Sequence, residues 1–149
     1  LKIGQRAPEI SLYDQNKKIR SLKSLKKKIL VLFFYPKDNT PGCTAEACEF
    51  RNDYNVFKEL GAEVWGVSAD SINSHNNFAK SYNPPFPLLC DLDNNLRESF
   101  EVNKFLGLIP GRVTFIIDSE GMIIHVYNNL FNGKSHVKEA IKIINQLKK

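Results

Sequence analysis

The chain has 149 residues, of which 42% are hydrophobic and 25% charged, and it carries a net charge of +5. That length supports one sizeable core, and the composition excludes a disordered or fibrous chain. The longest apolar run, residues 29–35, is far too short to span a membrane, and three cysteines do not make a secreted disulfide framework. A reducing compartment is expected instead, where a cysteine pair is more often catalytic than structural.

No repeat, linker or composition break interrupts the chain, so residues 1–149 are expected to form a single domain. "PEISLYDQNKKIRSL" predicts two short strands joined by a polar turn at 14–18. The lysines of "SLKSLKKK" stand just before a sticky strand, as gatekeepers against aggregation. That strand, "ILVLFFY", is continuously apolar, the pattern of a central strand buried on both faces. A helix over 41–60 is predicted next, then a strand in "AEVWGVSAD" and a helix over 72–82. "PPFPLLCD" breaks that helix and leads into a short strand, followed by a short helix over 94–100. "RVTFIIDSEGMIIHVYN" predicts a strand hairpin turning at 119–121. A last helix from Ser135 onward carries Val137, Ile141, Ile144 and Leu147 on one face. Strands alternating with helices predict an α/β sandwich around a mixed sheet.

The chemistry concentrates in "TPGCTAEAC", residues 40–48. Thr40 suits an N-cap and Pro41 the first helical position, which puts Cys43 inside the first turn. Free N–H groups and the positive end of the helix dipole stabilise an anion there, and for cysteine that anion is the nucleophilic thiolate. Cys43, Ala47, Phe50, Tyr54 and Phe57 recur at helical spacing as one apolar stripe, so Cys43 points inward. Cys48 falls with Thr44, Arg51, Asn52 and Asn55 on the polar side. Five residues of α-helix rise roughly 7.5 Å and turn roughly 140°, placing the two Cα atoms about 8.6 Å apart. A disulfide needs at most about 7 Å, so the two thiols join only if the helix start unwinds. A thiolate in apolar surroundings with a distant partner suits oxidation of Cys43 first, by a peroxide, and attack by Cys48 on the sulfenic acid.

With those residues in place, "FFYPKDNTPGCTAEACEFRNDY" resembles the active-site segment of the peroxiredoxins, whose P-x-x-x-T-x-x-C motif is met by Pro36, Thr40 and Cys43. A second cysteine five positions on resembles the bacterioferritin comigratory protein and peroxiredoxin Q branch. "IGQRAPEISLYDQN", "GVSAD", "PGRVTFIID" and "VYNNLF" extend the likeness nearly end to end, the last two closer to the plant type.

The resemblance implies a thioredoxin-like sandwich, a mixed central sheet flanked by helices, that needs no cofactor and no metal. Cys43 would be the peroxidatic cysteine and Cys48 the resolving one. Thr40 would hydrogen-bond the thiolate and the peroxide, and Pro36 would shield the thiolate from water. Arg112 would hold Cys43 ionised and stabilise charge on the peroxide oxygens, and Glu46 would help orient an arginine. The expected substrates are hydrogen peroxide and organic hydroperoxides, with a thioredoxin- or glutaredoxin-type dithiol as reductant. Members of this branch are often monomers, and the same is expected here.

Other residues carry blander expectations. Cys90 reads as packing, His125 as a sheet residue, and Lys134, Lys138 and Lys142 as a solvated helix face. The histidines and cysteines show no metal-ligand spacing. The competing function is a basic, redox-sensing protein that binds nucleic acid or chromatin weakly and in a salt-dependent way. With Met122 the only methionine, the first residue is not expected to be the natural start. Nucleus or cytoplasm is the favoured location, with a plastid open through the plant-type likeness.

Overall fold

The computed structural model describes residues 1–25, 28–104 and 111–147. At its centre lies β3 (Ile29–Phe34), six apolar residues whose side chains alternate between two separate cores. Val31 and Phe33 face one core, with Phe50, Phe57, Phe78, Val137 and Ile144. Leu30, Leu32 and Phe34 face the other, with Trp65, Phe100, Phe115 and Ile10. A strand buried on both faces has no need of polar alternation, which is why its sequence is an unbroken apolar run.

β4 (Ala62–Ser68) runs parallel to β3, and β6 (Val113–Ile117) antiparallel to it on the other side. β5 (Leu88–Cys90) and β7 (Ile123–Asn128) complete the order β5-β4-β3-β6-β7, a mixed sheet as expected. α1 (Pro41–Asn52), α2 (Tyr54–Glu59), α3 (Ile72–Tyr82), α4 (Asn95–Ser99) and α5 (Gly133–Leu147) flank it. β1 (Ser11–Tyr13) and β2 (Ile19–Ser21) form a separate two-stranded hairpin around the 14–18 turn. Lys23 and Lys28 are exposed, as gatekeepers should be, while Lys26 and Lys27 lie outside the described residues.

Three expectations are corrected. The helix over 41–60 is two helices, broken at Asp53, whose φ of −101° and ψ of 10° leave the helical region. Asn52 and Asp53 are weak helix formers, and the Asp53 carbonyl starts α2 by accepting from the Val56 and Phe57 N–H groups. The last helix begins at Gly133, two residues early, and Leu147 is 50% exposed. Its apolar period runs on past Ile144, the last residue of the helix in the core.

Candidate active site

β3 ends at the edge of the sheet from which residues 35–40 lead into α1, and this places Cys43 in the first turn, 1% exposed. The apolar stripe behaves as the spacing requires. Ala47, Phe50 and Phe57 are buried with Cys43 in one core, and Tyr54 packs against it despite the break at Asp53.

Thr40 occupies the N-cap position with extended backbone, and its carbonyl accepts from the Thr44 N–H at 2.8 Å. Its side chain makes no cap hydrogen bond, contrary to expectation, because the hydroxyl donates to the Lys37 carbonyl at 2.8 Å. Asn39, at φ +62°, folds the loop back so that this carbonyl is within reach. The cap hydroxyl therefore competes for none of the first-turn N–H groups, which stay available to an anion. Pro36, half-buried, directly follows Tyr35 at the end of the central strand.

Arg112, 4% exposed, precedes β6, and its guanidinium is used on every side. Nη2 donates to Cys43 Sγ at 3.4 Å, Nη1 to Glu46 Oε1 at 2.6 Å, and Nε to the Leu130 carbonyl at 3.0 Å. Burial works against the charge, but Glu46 and Cys43 more than offset it, so the guanidinium stays charged. Pro110 of the quoted "PGRVTFIID" lies outside the described residues.

Glu46 sits where the resemblance put it, on the arginine, and is fully buried. Burial pushes its carboxyl up to about 8, with Arg112 pulling the other way. Among the described residues its Oε2 has no hydrogen-bond partner, and it lies 3.7 Å from His136 Nδ1. His136 Nε2 donates to the Asn129 carbonyl at 2.8 Å, and Nδ1 lies 2.7 Å from the Thr114 hydroxyl. Burial and Arg112 lower the ring to about 4, so it is neutral and Nδ1 accepts from that hydroxyl.

Two glycines make this convergence possible. A Cβ on Gly42 would stand 3.1 Å from Arg112 Nη2, and one on Gly133 would stand 2.7 Å from the Gly42 carbonyl and 2.8 Å from Glu46 Cβ. Gly133→Ala is therefore expected to push α5 away from α1. A cost of about 1–3 kcal/mol in denaturant unfolding and a slower reaction of Cys43 with peroxide should follow.

Cys48 is half-buried on the same unbroken α1, and all three cysteines are free thiols. With the helix intact, helical spacing holds the Cys43 and Cys48 Cα atoms beyond disulfide reach. Cys90 is buried at the end of β5, as a packing residue would be, and His125 lies in β7, 2.8 Å from Glu139. Lys134, Lys138 and Lys142 are exposed along α5.

Sequence reasoning missed Arg97. It is buried in α4, with Nη1 donating to the Gly111 carbonyl at 2.7 Å and Nη2 to the Tyr35 carbonyl at 2.9 Å. It thus pins the residue before Arg112 and the residue before Pro36. An arginine in "DNNLRESF" reads as surface, and no linear signal marks it otherwise. Also unforeseen is a polar cluster that includes Asp38 of the 36–40 loop. Asp38, Asp70 and His75 bring ligand-type atoms within 4.8 Å of one another, the kind of cluster that holds a metal ion. Every one of those atoms is already hydrogen-bonded within the protein.

The comparisons with known proteins agree with this geometry. The sequence profile of the AhpC/TSA family matches residues 3–126. A chloroplastic peroxiredoxin Q of Populus jackii is 45% identical over 145 residues, 97% of this chain and 68% of that one. The Arabidopsis thaliana protein of the same name is 46% identical over 142 residues, 95% of this chain and 66% of that one. Among solved structures, peroxidoxin BcpB of Mycobacterium tuberculosis superposes with a TM-score of 0.92 at 32% identity, covering 100% of this chain and 99% of that one. Xanthomonas campestris peroxiredoxin Q does so with 0.87 at 30% identity, covering 94% and 92%. A thioredoxin-like fold with a buried cysteine at a helix start, on a guanidinium, is the equipment of a thiol-dependent peroxidase. The chain belongs to the AhpC/TSA family, in the peroxiredoxin Q branch that its active-site segment resembles.

Proposed function

We propose that Cys43 is the peroxidatic and Cys48 the resolving cysteine of this peroxidase. The observation that carries the assignment is the Arg112 Nη2 contact to Cys43 Sγ at 3.4 Å, in a site closed to bulk water. The Cys43 thiolate attacks one peroxide oxygen, the O–O bond breaks, and the leaving oxygen departs as water or alcohol after taking a proton. Arg112, already charged and in place, stabilises the charge that moves onto those oxygens. Thr40, donating to Lys37, keeps hydroxyl lone pairs that accept from the peroxide O–H; donating to the thiolate requires giving up Lys37. Pro36 covers the approach to the sulfur.

The product is a Cys43 sulfenic acid. Resolution then requires the start of α1 to unwind, after which Cys48 attacks the sulfenic sulfur and expels water to form the disulfide. A thioredoxin- or glutaredoxin-type dithiol reduces that disulfide and is itself oxidised. Cys48→Ser is expected to consume about one equivalent of peroxide and then stall as sulfenic acid or over-oxidise. Peroxide consumption with and without excess dithiol checks this, and sustained turnover would remove Cys48 from the cycle.

The chloroplastic names of the plant relatives support a plastid location, and nothing comparable favours nucleus or cytoplasm. Two cores on one sheet support reading residues 1–149 as one domain. The monomeric state rests on the family resemblance. No observation favours the nucleic-acid reading.

A further inference from the structure

The loop that carries Pro36 and Thr40 is fastened by its middle residue, Asp38. From the end of β3, the Tyr35 hydroxyl donates to Asp38 Oδ1 at 2.6 Å. From α3, the Ser74 hydroxyl donates to Oδ2 at 2.9 Å, and His75 Nδ1 lies 2.6 Å from the same oxygen. The Asp38 N–H donates to Asp70 Oδ2 at 2.8 Å, and Asp70 also accepts from the Ser68 hydroxyl at 2.5 Å. The side chains of Asp38 and His75 are 1% and 0% exposed.

The protonation of His75 follows from its neighbours. Nε2 lies 2.9 Å from the Leu89 carbonyl oxygen, which only accepts, so Nε2 carries a hydrogen. Nδ1 faces a carboxylate that two hydroxyls already treat as an acceptor, so Nδ1 donates too. His75 is therefore an imidazolium paired with the Asp38 carboxylate. Burial opposes that charge, and the hydrogen bond and charge of Asp38, with a smaller contribution from Cys90, override it, raising the ring to about 10. With both ring nitrogens donating, the cluster has no nitrogen lone pair to offer a metal.

We propose that His75 and Asp38 are positioning residues for the peroxidase reaction, their buried ion pair fixing the 36–40 loop so that Pro36 and Thr40 stand correctly over Cys43. The pair touches no reacting atom. It acts through the loop, while Arg112 reaches the sulfur from β6, on the other side of β3 from β4. Loosening the loop should therefore harm the reaction with peroxide, which needs Thr40 and Pro36, far more than the bare nucleophilicity of the sulfur. A pair that merely held α3 to the sheet would show no such selectivity. The proposal rests on Cys43 being the peroxidatic cysteine.

The test compares two reactions of Cys43 in reduced His75→Asn. One is its second-order oxidation by hydrogen peroxide in stopped flow. The other is its alkylation by iodoacetamide at the same pH, located by peptide mapping. Misplacement by about 1 Å costs about 100-fold in a positioned reaction, so the peroxide rate should fall about 100-fold and the alkylation rate less than about threefold. A peroxide-to-alkylation ratio within about threefold of wild type, whether both rates fall or neither does, overturns the proposal.

Should His75→Asn fail to fold, Tyr35→Phe removes one donor to Asp38 and leaves the ring in the core. Its ratio should fall about tenfold, the lower end of the effect of one lost hydrogen bond to a charged group; an unchanged ratio overturns the proposal equally. Wild-type protein separates this from the underlying reading. Failure of peroxide to oxidise wild-type Cys43 sinks the peroxidatic assignment itself, whereas normal wild-type oxidation with an unaltered His75→Asn ratio sinks only the positioning role.

Discussion

Cys43→Ser is expected to abolish peroxide reduction while leaving the fold intact. A serine hydroxyl in that first turn keeps the helix start and nearly the same volume within the core shared with Ala47 and Phe50. With Arg112 Nη2 there to donate to the hydroxyl as it does to the sulfur, the structural cost should stay within about 1–3 kcal/mol. The chemistry does not survive the exchange, because an un-ionised hydroxyl neither attacks an O–O bond at neutral pH nor stores an oxygen as a sulfenic acid. Neither Cys48, half-buried on the polar side of α1, nor Cys90, buried at the end of β5, stands against Arg112 to take over. Peroxide consumption with excess dithiol, beside an unfolding curve, checks both halves. Turnover by the variant would remove the central assignment.

Arg112→Ala carries the second largest effect, and it acts on rate and stability together. Loss of the guanidinium removes the one positive side chain hydrogen-bonded to Cys43 among the described residues, Arg97 acting on that sulfur through its charge alone, and removal of such a stabilising group costs about 100- to 1000-fold in rate. It also leaves Glu46 fully buried without its 2.6 Å partner, beside a neutral His136 that offers Glu46 no proton. Breaking a buried pair by removing one member destabilises by about 3–5 kcal/mol. The two effects separate in the double variant Arg112→Ala/Glu46→Gln. With no carboxyl left that must hold a proton far above its ordinary range, stability should recover by about half or more in urea unfolding, while the peroxide rate stays at the level of Arg112→Ala. Recovery of both would mean that Arg112 serves only to neutralise Glu46.

Legibility in the sequence followed locality. The central strand, α3 over 72–82 and the hairpin turn at 119–121 were readable because each is set by its own residues: an unbroken apolar run, a Ser71 cap that accepts from the Ser74 N–H, and a glycine at φ +84°. The break at Asp53 was not readable, because the apolar stripe from Cys43 to Phe57 has the same spacing across one helix or two. Within the site, Cys43 and Thr40 announce themselves through helix-start chemistry, whereas Arg112 needed the family likeness. Arg97, His136 and the Asp38–His75 pair are contacts across the sequence, from residue types that usually face water. Burial turned each of them into a fixed hydrogen-bonding group, and burial of a charged residue leaves no mark in the linear pattern.

The two-cysteine cycle is tested most directly by the intact mass of the reduced protein after one equivalent of hydrogen peroxide, followed by peptide mapping. A loss of about two mass units is expected, mapped to a Cys43–Cys48 disulfide that forms through a Cys43 sulfenic acid and requires the first turns of α1 to open. An unmodified Cys43, or an oxygen retained there with Cys48 still a free thiol, would contradict it.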